Sequence, residues 1–130
     1  MKILLFGKDG QVGWELQRSL TSLGEVVALG RAGLEGLAGD FLQPDAVAAT
    51  VRKVHPDLVV IAAAFTAVDA AERATNEAAL VNAEAPGRIA QAAADCGARV
   101  VHYSTEHVFD GTGTRPWIED DVTQIGRAHV

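Results

Sequence analysis

Three glycines near the N-terminus form the pattern with the clearest chemical implication. Gly7, Gly10 and Gly13 follow a short apolar run and precede a helical pattern. Such a loop lets the diphosphate of a dinucleotide approach the backbone, where the first amides of the helix can bind it. The spacing and placement therefore predict a dinucleotide site, although the same glycines could serve only to pack the helix on the strand. A Walker-type phosphate loop is excluded because no Gly-Lys-Ser/Thr follows at the required distance.

Two charged residues further along concern the adenosine end of such a ligand. An acid that binds the ribose of NAD is expected after the second strand, and this chain has Gly30 and Arg31 there. Arg31 could bind the 2′-phosphate of NADP, or it could be an exposed loop residue. Asp40, at the next turn, could accept a hydrogen bond from the adenine amino group or could cap the turn. The pattern favours NADP and leaves NAD open.

Small and hydroxylated residues follow the two later strands. Ala62, Ala63 and Ala64 leave room for a cofactor against the backbone, or for tight core packing. Ser104, Thr105 and Glu106 follow the fourth strand, where a hydroxyl group could hydrogen-bond a substrate carbonyl or a catalytic phenol. Such residues are also common turn formers, so both interpretations stay open.

A metal site is not predicted. His102, Glu106 and His107 are close in the sequence, but positions 102 and 107 face opposite sides of an extended chain. Their spacing also differs from the helical His-Glu-x-x-His pattern of zinc enzymes.

Alternating strand and helix patterns must hold these residues in place. Continuous apolar runs, typical of strands buried on both faces, occupy residues 3–6, 26–29, 58–62 and 99–103. Apolar residues at helical spacing cover residues 12–23, 44–54 and 76–94. The alternation predicts an α/β fold, a Rossmann-type doubly wound parallel sheet of which these residues supply the N-terminal part.

Glycine and proline predict how some elements end. Gly24 is expected to end the first helix in a left-handed conformation, and Gly97 to close the third. Asp40 and Phe41 are predicted to form a short extended piece. Pro86 lies inside the third helical pattern, where a proline costs about 3 kcal/mol, so we expect a kink or a new helix there.

Composition restricts the class of protein. A length of 130 residues fits one domain, and 48% hydrophobic residues are enough for a core. The formal charge of −6 gives no basic surface for a nucleic acid. Cys96 is the only cysteine, no signal-peptide pattern is visible, and no apolar run reaches the roughly 20 residues that span a bilayer. We therefore expect a cytoplasmic protein without nucleic-acid or membrane partners.

Four segments together resemble a known family, the extended short-chain dehydrogenase/reductases, and among them the dTDP-4-dehydrorhamnose reductases. The segments are residues 5–16, 39–41, 62–72 and 102–111. The resemblance implies a nucleotide-sugar partner, dTDP-4-dehydro-L-rhamnose, which NADPH or NADH reduces to dTDP-L-rhamnose. For the full-length family it is also compatible with Mg²⁺, for which no ligands are identifiable here, and with a homodimer.

The resemblance also implies a set of site residues. Those that contact the cofactor would be Gly10, Gln11, Val12, Asp40, Phe41, Ala64, Phe65, Thr66 and Tyr103. Thr105, the candidate catalytic residue, and Glu106 would lie at the sugar end, where Thr105 tunes the catalytic phenol. Ile61, Phe65 and Glu106 depart from the family pattern, and Glu106 adds a methylene at the substrate edge.

The proton-donating Tyr-x-x-x-Lys pair of this family is not found in the chain. Tyr103 is the only tyrosine, and His107 stands four places on. We expect an incomplete dinucleotide-binding domain over residues 1–123, inactive by itself. Residues 124–130 are expected to be a non-native tail, since 125–130 resemble a translated DNA-sequencing adapter. Two alternatives stay open: a non-catalytic dinucleotide-binding regulatory subunit, and a related nucleotide-sugar epimerase or dehydratase.

Overall fold

Four parallel strands form the centre of the molecule. The computed structural model describes residues 1–71, 73–105 and 108–122. The strands are β1 (Lys2–Phe6), β2 (Glu25–Leu29), β3 (Leu58–Ile61) and β4 (Arg99–His102). They pair in the order β2-β1-β3-β4, and every pair is parallel. The chain extends the sheet to β2 and then crosses back past β1, which confirms the predicted doubly wound α/β architecture.

Helices cover both faces of this sheet. They are α1 (Gln11–Leu20), α2 (Pro44–Val54), α3 (Val68–Ala71), α4 (Thr75–Ala79) and α5 (Ala85–Asp95), with a π-helical turn at Leu80–Glu84. On one face, α1 packs over a small core that contains Ile3, Leu5 and Val60. On the other face, α2 and α5 pack over a larger core that contains Leu4 and Phe6. Successive strand residues point to opposite faces, so β1 contributes to both cores.

The third helical pattern changes its geometry just ahead of Pro86. The backbone N–H of Ala85 donates to the carbonyl of Leu80, five residues earlier, which is the π-helical spacing. α5 then begins with Pro86 in its first turn. The proline is accommodated because the π-helical turn has already shifted the backbone hydrogen bonds just ahead of it. The change of geometry lies where a kink or a new helix was expected, and the helical backbone continues through it.

The two glycines that were expected to end helices behave differently. Gly97 has a φ of +71° and closes α5 as predicted. The prediction for Gly24 is wrong, because its φ is not positive and α1 ends earlier, at Leu20. Position 24 requires glycine for another reason: a Cβ there would collide with the carbonyl oxygen of Met1 at the start of β1.

The segment ahead of α2 also differs from its prediction. Asp40 and Phe41 form no extended piece, because the backbone turns there, and the N–H of Gln43 donates to the carbonyl of Asp40 at 3.0 Å. α2 itself ends as predicted at Val54, and His55 takes the left-handed conformation with a φ of +50°. The turn thus leads directly into α2.

The described part of the chain after β4 contains turns and bends. Phe109 stacks on Trp117 with ring centroids 4.8 Å apart. Arg115 forms an ion pair with Asp121, and the hydrogen bond that Arg115 donates in this pair lowers the pKa of the Asp121 carboxyl.

The predicted boundary at residue 123 and the predicted tail at 124–130 lie outside the described residues. In the part of the chain that the structure describes, no helix has the length and apolar character to cross a membrane.

Candidate functional site

A cavity of about 290 Å³ opens at the edge of the sheet where the parallel strands end. The residues that line it are Gly7, Asp9, Gly10, Gly30, Arg31, Gly39, Asp40, Phe41, Leu42, Ala62, Ala63, Ala64, Phe65, Glu77 and Val81. It lies beside β1, where the order of the sheet reverses, and this is where open α/β sheets bind ligands. The structure therefore brings most of the predicted cofactor residues together.

The three glycines of the loop have different geometric roles. Gly7 has a φ of +88°, and a Cβ there would lie 2.6 Å from the carbonyl carbon of Ala62. A Cβ on Gly13 would collide with the carbonyl oxygen of Gly7. At Gly10, by contrast, the nearest atom outside its chain neighbours would be 3.6 Å from the Cβ. Close packing therefore requires Gly7 and Gly13, whereas a Cβ on Gly10, beside the cavity, would make only an ordinary van der Waals contact.

The N-terminus of α1 can supply hydrogen-bond donors to this space. Gly10 is the N-cap, with an extended backbone and no side chain to cap the helix. The amides of Gln11, Val12 and Gly13 come next, and the first amides of a helix have no intrahelical acceptor. Together with the positive end of the helix dipole, such amides bind anions. A diphosphate fits here, because Gly10 gives it access and the uncapped amides give it donors.

Two charged residues and one aromatic residue form the far side of the cavity. The Nε atom of Arg31 lies 3.4 Å from the Oδ1 atom of Asp40. The same Oδ1 accepts a hydrogen bond from the N–H of Leu42 at 3.0 Å, so Asp40 caps its own turn. Phe41 is almost completely buried, and its ring packs edge-on against Phe6 at 5.4 Å. The contribution of Phe41 is therefore mainly to the core beneath the cavity.

Thr50 fixes the segment that leads into this turn. Its hydroxyl accepts a hydrogen bond from the N–H of Ala38 at 2.8 Å and donates one to the carbonyl of Ala38 at 3.0 Å. Thr50 is 4% exposed and stands on α2 between Val47 and Val51, which are fully buried. Sequence reasoning missed this residue, although a polar residue inside an apolar helix face was the signal that could have found it.

Asn82 holds the loop after β3 in the same manner. Its Oδ1 atom accepts from the N–H of Phe65 at 2.8 Å, and its Nδ2 atom donates to the carbonyl of Phe65 at 3.2 Å. Asn82 belongs to the π-helical turn, a feature often found at functional sites. Sequence reasoning missed this residue too. The available signal was an amide side chain in an alanine-rich helix, four residues before Pro86.

Several predicted site residues lie outside the lining of the cavity. Gln11, Val12 and Gly13 belong to the first turn of α1 and could contribute through their amides. Thr66, Tyr103 and Thr105 follow β3 and β4 at the same sheet edge without lining this cavity. Glu106 lies outside the described residues.

The end of β4 carries His102, an exposed residue whose ring is partly desolvated by its neighbours. Burial lowers the pKa of His102, so this ring is predominantly neutral at pH 7. Across residues 1–71, 73–105 and 108–122, no three His, Cys, Asp or Glu side chains are grouped so that they could hold a metal ion.

Comparison with protein families gives a match over nearly the whole chain. The family model described as the RmlD substrate binding domain matches residues 1–125. A curated relative from Shigella flexneri, a dTDP-4-dehydrorhamnose reductase, is 54% identical over 123 residues, which are 95% of this chain and 41% of the relative. The chain thus spans about two fifths of the length of the curated relatives it matches.

Solved structures of similar proteins share this architecture. A crystal structure of a dTDP-4-dehydrorhamnose reductase from Clostridium acetobutylicum has a TM-score of 0.87 at 35% identity and covers 99% of this chain and 45% of that one. A dTDP-4-dehydrorhamnose reductase from Bacillus anthracis, in complex with NADP, has a TM-score of 0.74 at 29% identity. That match covers 85% of this chain and 38% of the other.

Proposed function

This chain belongs to the family of the RmlD substrate binding domain, and from that membership we propose that its cavity binds the adenosine diphosphate half of NADPH or NADH. The full-length protein would use this cofactor to reduce dTDP-4-dehydro-L-rhamnose to dTDP-L-rhamnose. The observation that carries the proposal is the position of the cavity, beside the open Gly10 and the uncapped N-terminus of α1. The similarity to a reductase and to a protein crystallised with NADP supports it.

Different residues around the cavity would contact different parts of the dinucleotide. The first amides of α1 would hold the diphosphate, since they are donors at the positive end of a helix. Ala63 and Ala64 lie at the cavity wall after β3, where short side chains let the ligand approach the backbone. Arg31 and Asp40 would stand beside the adenosine. Asn82 would keep the wall in place through its two hydrogen bonds to Phe65.

Residues that follow β4 would act on the sugar substrate. When bound, the cofactor would supply a hydride to the keto carbon of the sugar, and the resulting alkoxide oxygen would need a proton. From the resemblance to the family we propose that Thr105 assists the phenol that gives this proton and that Glu106 contacts the sugar. Tyr103 is the only tyrosine of the chain, and His107 stands four residues on, so the activity is proposed for the full-length protein.

Calorimetry and an enzyme assay test the proposal together. We expect the full-length protein to bind NADPH or NADH and to oxidise it only when dTDP-4-dehydro-L-rhamnose is present. Gly10→Ala should weaken dinucleotide binding at least about tenfold, because a methyl group there hinders the charge-assisted bonds to the diphosphate. Gly87→Ala is the matched control, since a Cβ on this α5 glycine meets nothing within 4 Å and the residue does not line the cavity.

Each readout can contradict a different part of the proposal. If neither dinucleotide binds at millimolar concentration, the proposal of a cofactor site is wrong. Binding without oxidation, in a full-length protein that lacks a Tyr-x-x-x-Lys pair, would favour the regulatory alternative. Equal losses in Gly10→Ala and Gly87→Ala would show that the effect does not come from the cavity.

A further inference from the structure

The carboxylate of Asp9 occupies the place where a side chain at position 30 would stand. A Cβ on Gly30 would collide with the Oδ2 atom of Asp9 and lie 3.0 Å from its carboxyl carbon. Gly30 directly follows β2, and both residues line the cavity. The glycine loop after β1 therefore supplies a carboxylate to the end of β2.

This position has a defined role in dinucleotide-binding sheets. An Asp or Glu at the end of the second strand accepts a hydrogen bond from the ribose 2′-hydroxyl of NAD. In this chain the strand is followed by a glycine and supplies no such acid. Asp9 brings the same chemical group to the same place from another part of the chain.

One oxygen of Asp9 is available to a ligand. Lys8 binds the Oδ1 atom through its Nζ at 2.6 Å. The Oδ2 atom, which stands over Gly30, accepts no hydrogen bond from any residue that the structure describes. The Asp9 side chain is 66% exposed, so a hydroxyl group in the cavity can reach it.

The charges near this oxygen favour a hydroxyl over a phosphate. A ribose hydroxyl would donate a charge-assisted hydrogen bond to Oδ2. A 2′-phosphate in the same place would put like charges in contact, which is unfavourable. The two nearby cations are already paired, Lys8 with Asp9 and Arg31 with Asp40.

We propose that Asp9 recognises the 2′-hydroxyl of the adenosine ribose and thereby makes the site favour NADH over NADPH. The inference rests on the proposed function, since it places a dinucleotide in this cavity. It differs from the expectation based on sequence, in which Arg31 favours NADP. The difference arises because Asp9 and Gly30 are distant in the chain and meet only in the folded protein.

The test replaces Asp9 by asparagine in the full-length protein. Asp9→Asn keeps the size of the side chain and removes its charge. We expect the affinity for NADH to fall and that for NADPH to rise, so that the ratio of the two Kd values moves toward NADPH at least about tenfold. Isothermal titration calorimetry with each dinucleotide measures this ratio without any dependence on turnover.

Glu15→Gln is the matched control for a change of charge. Glu15 is an exposed acid on α1 that pairs with Arg18 at 2.7 Å and does not line the cavity. Removal of the Glu15 charge should leave the ratio of the Kd values for NADH and NADPH unchanged. Competition by 5′-AMP and by adenosine 2′,5′-bisphosphate, which differ only in the 2′-phosphate, should then show the same shift for Asp9→Asn and so locate it at the ribose.

The outcomes separate this inference from the proposed function. If wild type binds a dinucleotide and Asp9→Asn changes the ratio less than twofold, Asp9 is not the determinant and the proposed function stands. An equal shift in Glu15→Gln would also overturn the inference, because the effect would then be one of net charge. A wild type that binds neither NADH nor NADPH would overturn the proposed function and this inference with it.

Discussion

Gly7, Gly10 and Gly13 share one spacing, but each is required for a different reason. Gly7 needs its positive φ, and Gly13 needs the absence of a Cβ because the carbonyl of Gly7 lies against it. Gly10 has neither constraint and borders the cavity. The loop therefore combines packing of the helix on the strand with access for a ligand, so the two interpretations of the pattern apply to different glycines.

Gly13→Ala tests this division at the scale of the residue. We expect it to lower the free energy of unfolding by about 1–3 kcal/mol, because the added methyl group meets backbone that cannot move freely. The gain in helix propensity, at most about 1 kcal/mol, offsets only part of this loss. Urea denaturation of the full-length protein measures the change.

Gly10→Ala is the comparison for this prediction. It should cost less than about 1 kcal/mol of stability, since the position is an N-cap with room for a methyl group. Equal destabilisation by the two substitutions would contradict the division of roles.

At the scale of elements, two buried or partly buried polar side chains hold the walls of the cavity. Thr50 on α2 binds both backbone groups of Ala38, ahead of the Asp40 turn. Asn82 in the π-helical turn binds both backbone groups of Phe65, after β3. Loops at a sheet edge have backbone groups without a strand partner, and these side chains satisfy them. Helix α2 and the π-helical turn ahead of α5 thus position the loops around the cavity.

Asn82→Ala should loosen one wall and leave the other intact. Loss of both hydrogen bonds leaves the amide of Phe65 unsatisfied, so we expect a loss of about 1–3 kcal/mol in the free energy of unfolding. We also expect weaker dinucleotide binding when the Kd is measured well below the melting temperature. Asn76→Ala, at an exposed position of α4, should change stability by less than about 0.5 kcal/mol. If the Kd of Asn82→Ala equals that of wild type, Asn82 serves the fold alone.

At the scale of the whole molecule, the two faces of the sheet are covered unequally. The core under α2 and α5 includes residues from every strand, whereas the core under α1 has only a few members. Val60 on β3 belongs to the α1 core and is 2% exposed. Val101, its register partner on β4, is 45% exposed. In the described residues, the α1 face is therefore open above β4.

Val101→Thr and Val60→Thr should separate exposed from buried apolar surface in the 130-residue chain. Val101→Thr should reduce self-association in sedimentation experiments, because it removes apolar surface from the open face of the outer strand β4. Its cost in stability should be below about 0.5 kcal/mol. Val60→Thr buries a hydroxyl in the α1 core and should cost about 1–3 kcal/mol. If the wild-type chain is monomeric at high concentration, the exposed surface at Val101 does not cause self-association.

The sequence by itself determined the four strands, the main helices and the edge at which the site forms. The apolar runs at residues 3–6 and 58–62 and the glycine loop are local patterns, and each follows from burial or backbone geometry within a few neighbouring residues. Their alternation with helices then implies a parallel sheet whose carboxyl ends meet. The cavity beside Gly10 agrees with that prediction.

Only the tertiary structure decided which distant groups meet at this edge. The contact of Asp9 with Gly30, the hydrogen bonds from Asn82 to Phe65, and those from Thr50 to Ala38 join different elements. Val101 lies in an apolar run that resembles those of the buried strands, but its exposure depends on what packs above it. Such contacts depend on how helices cross the sheet, and a single sequence encodes this only through the packing of the whole core.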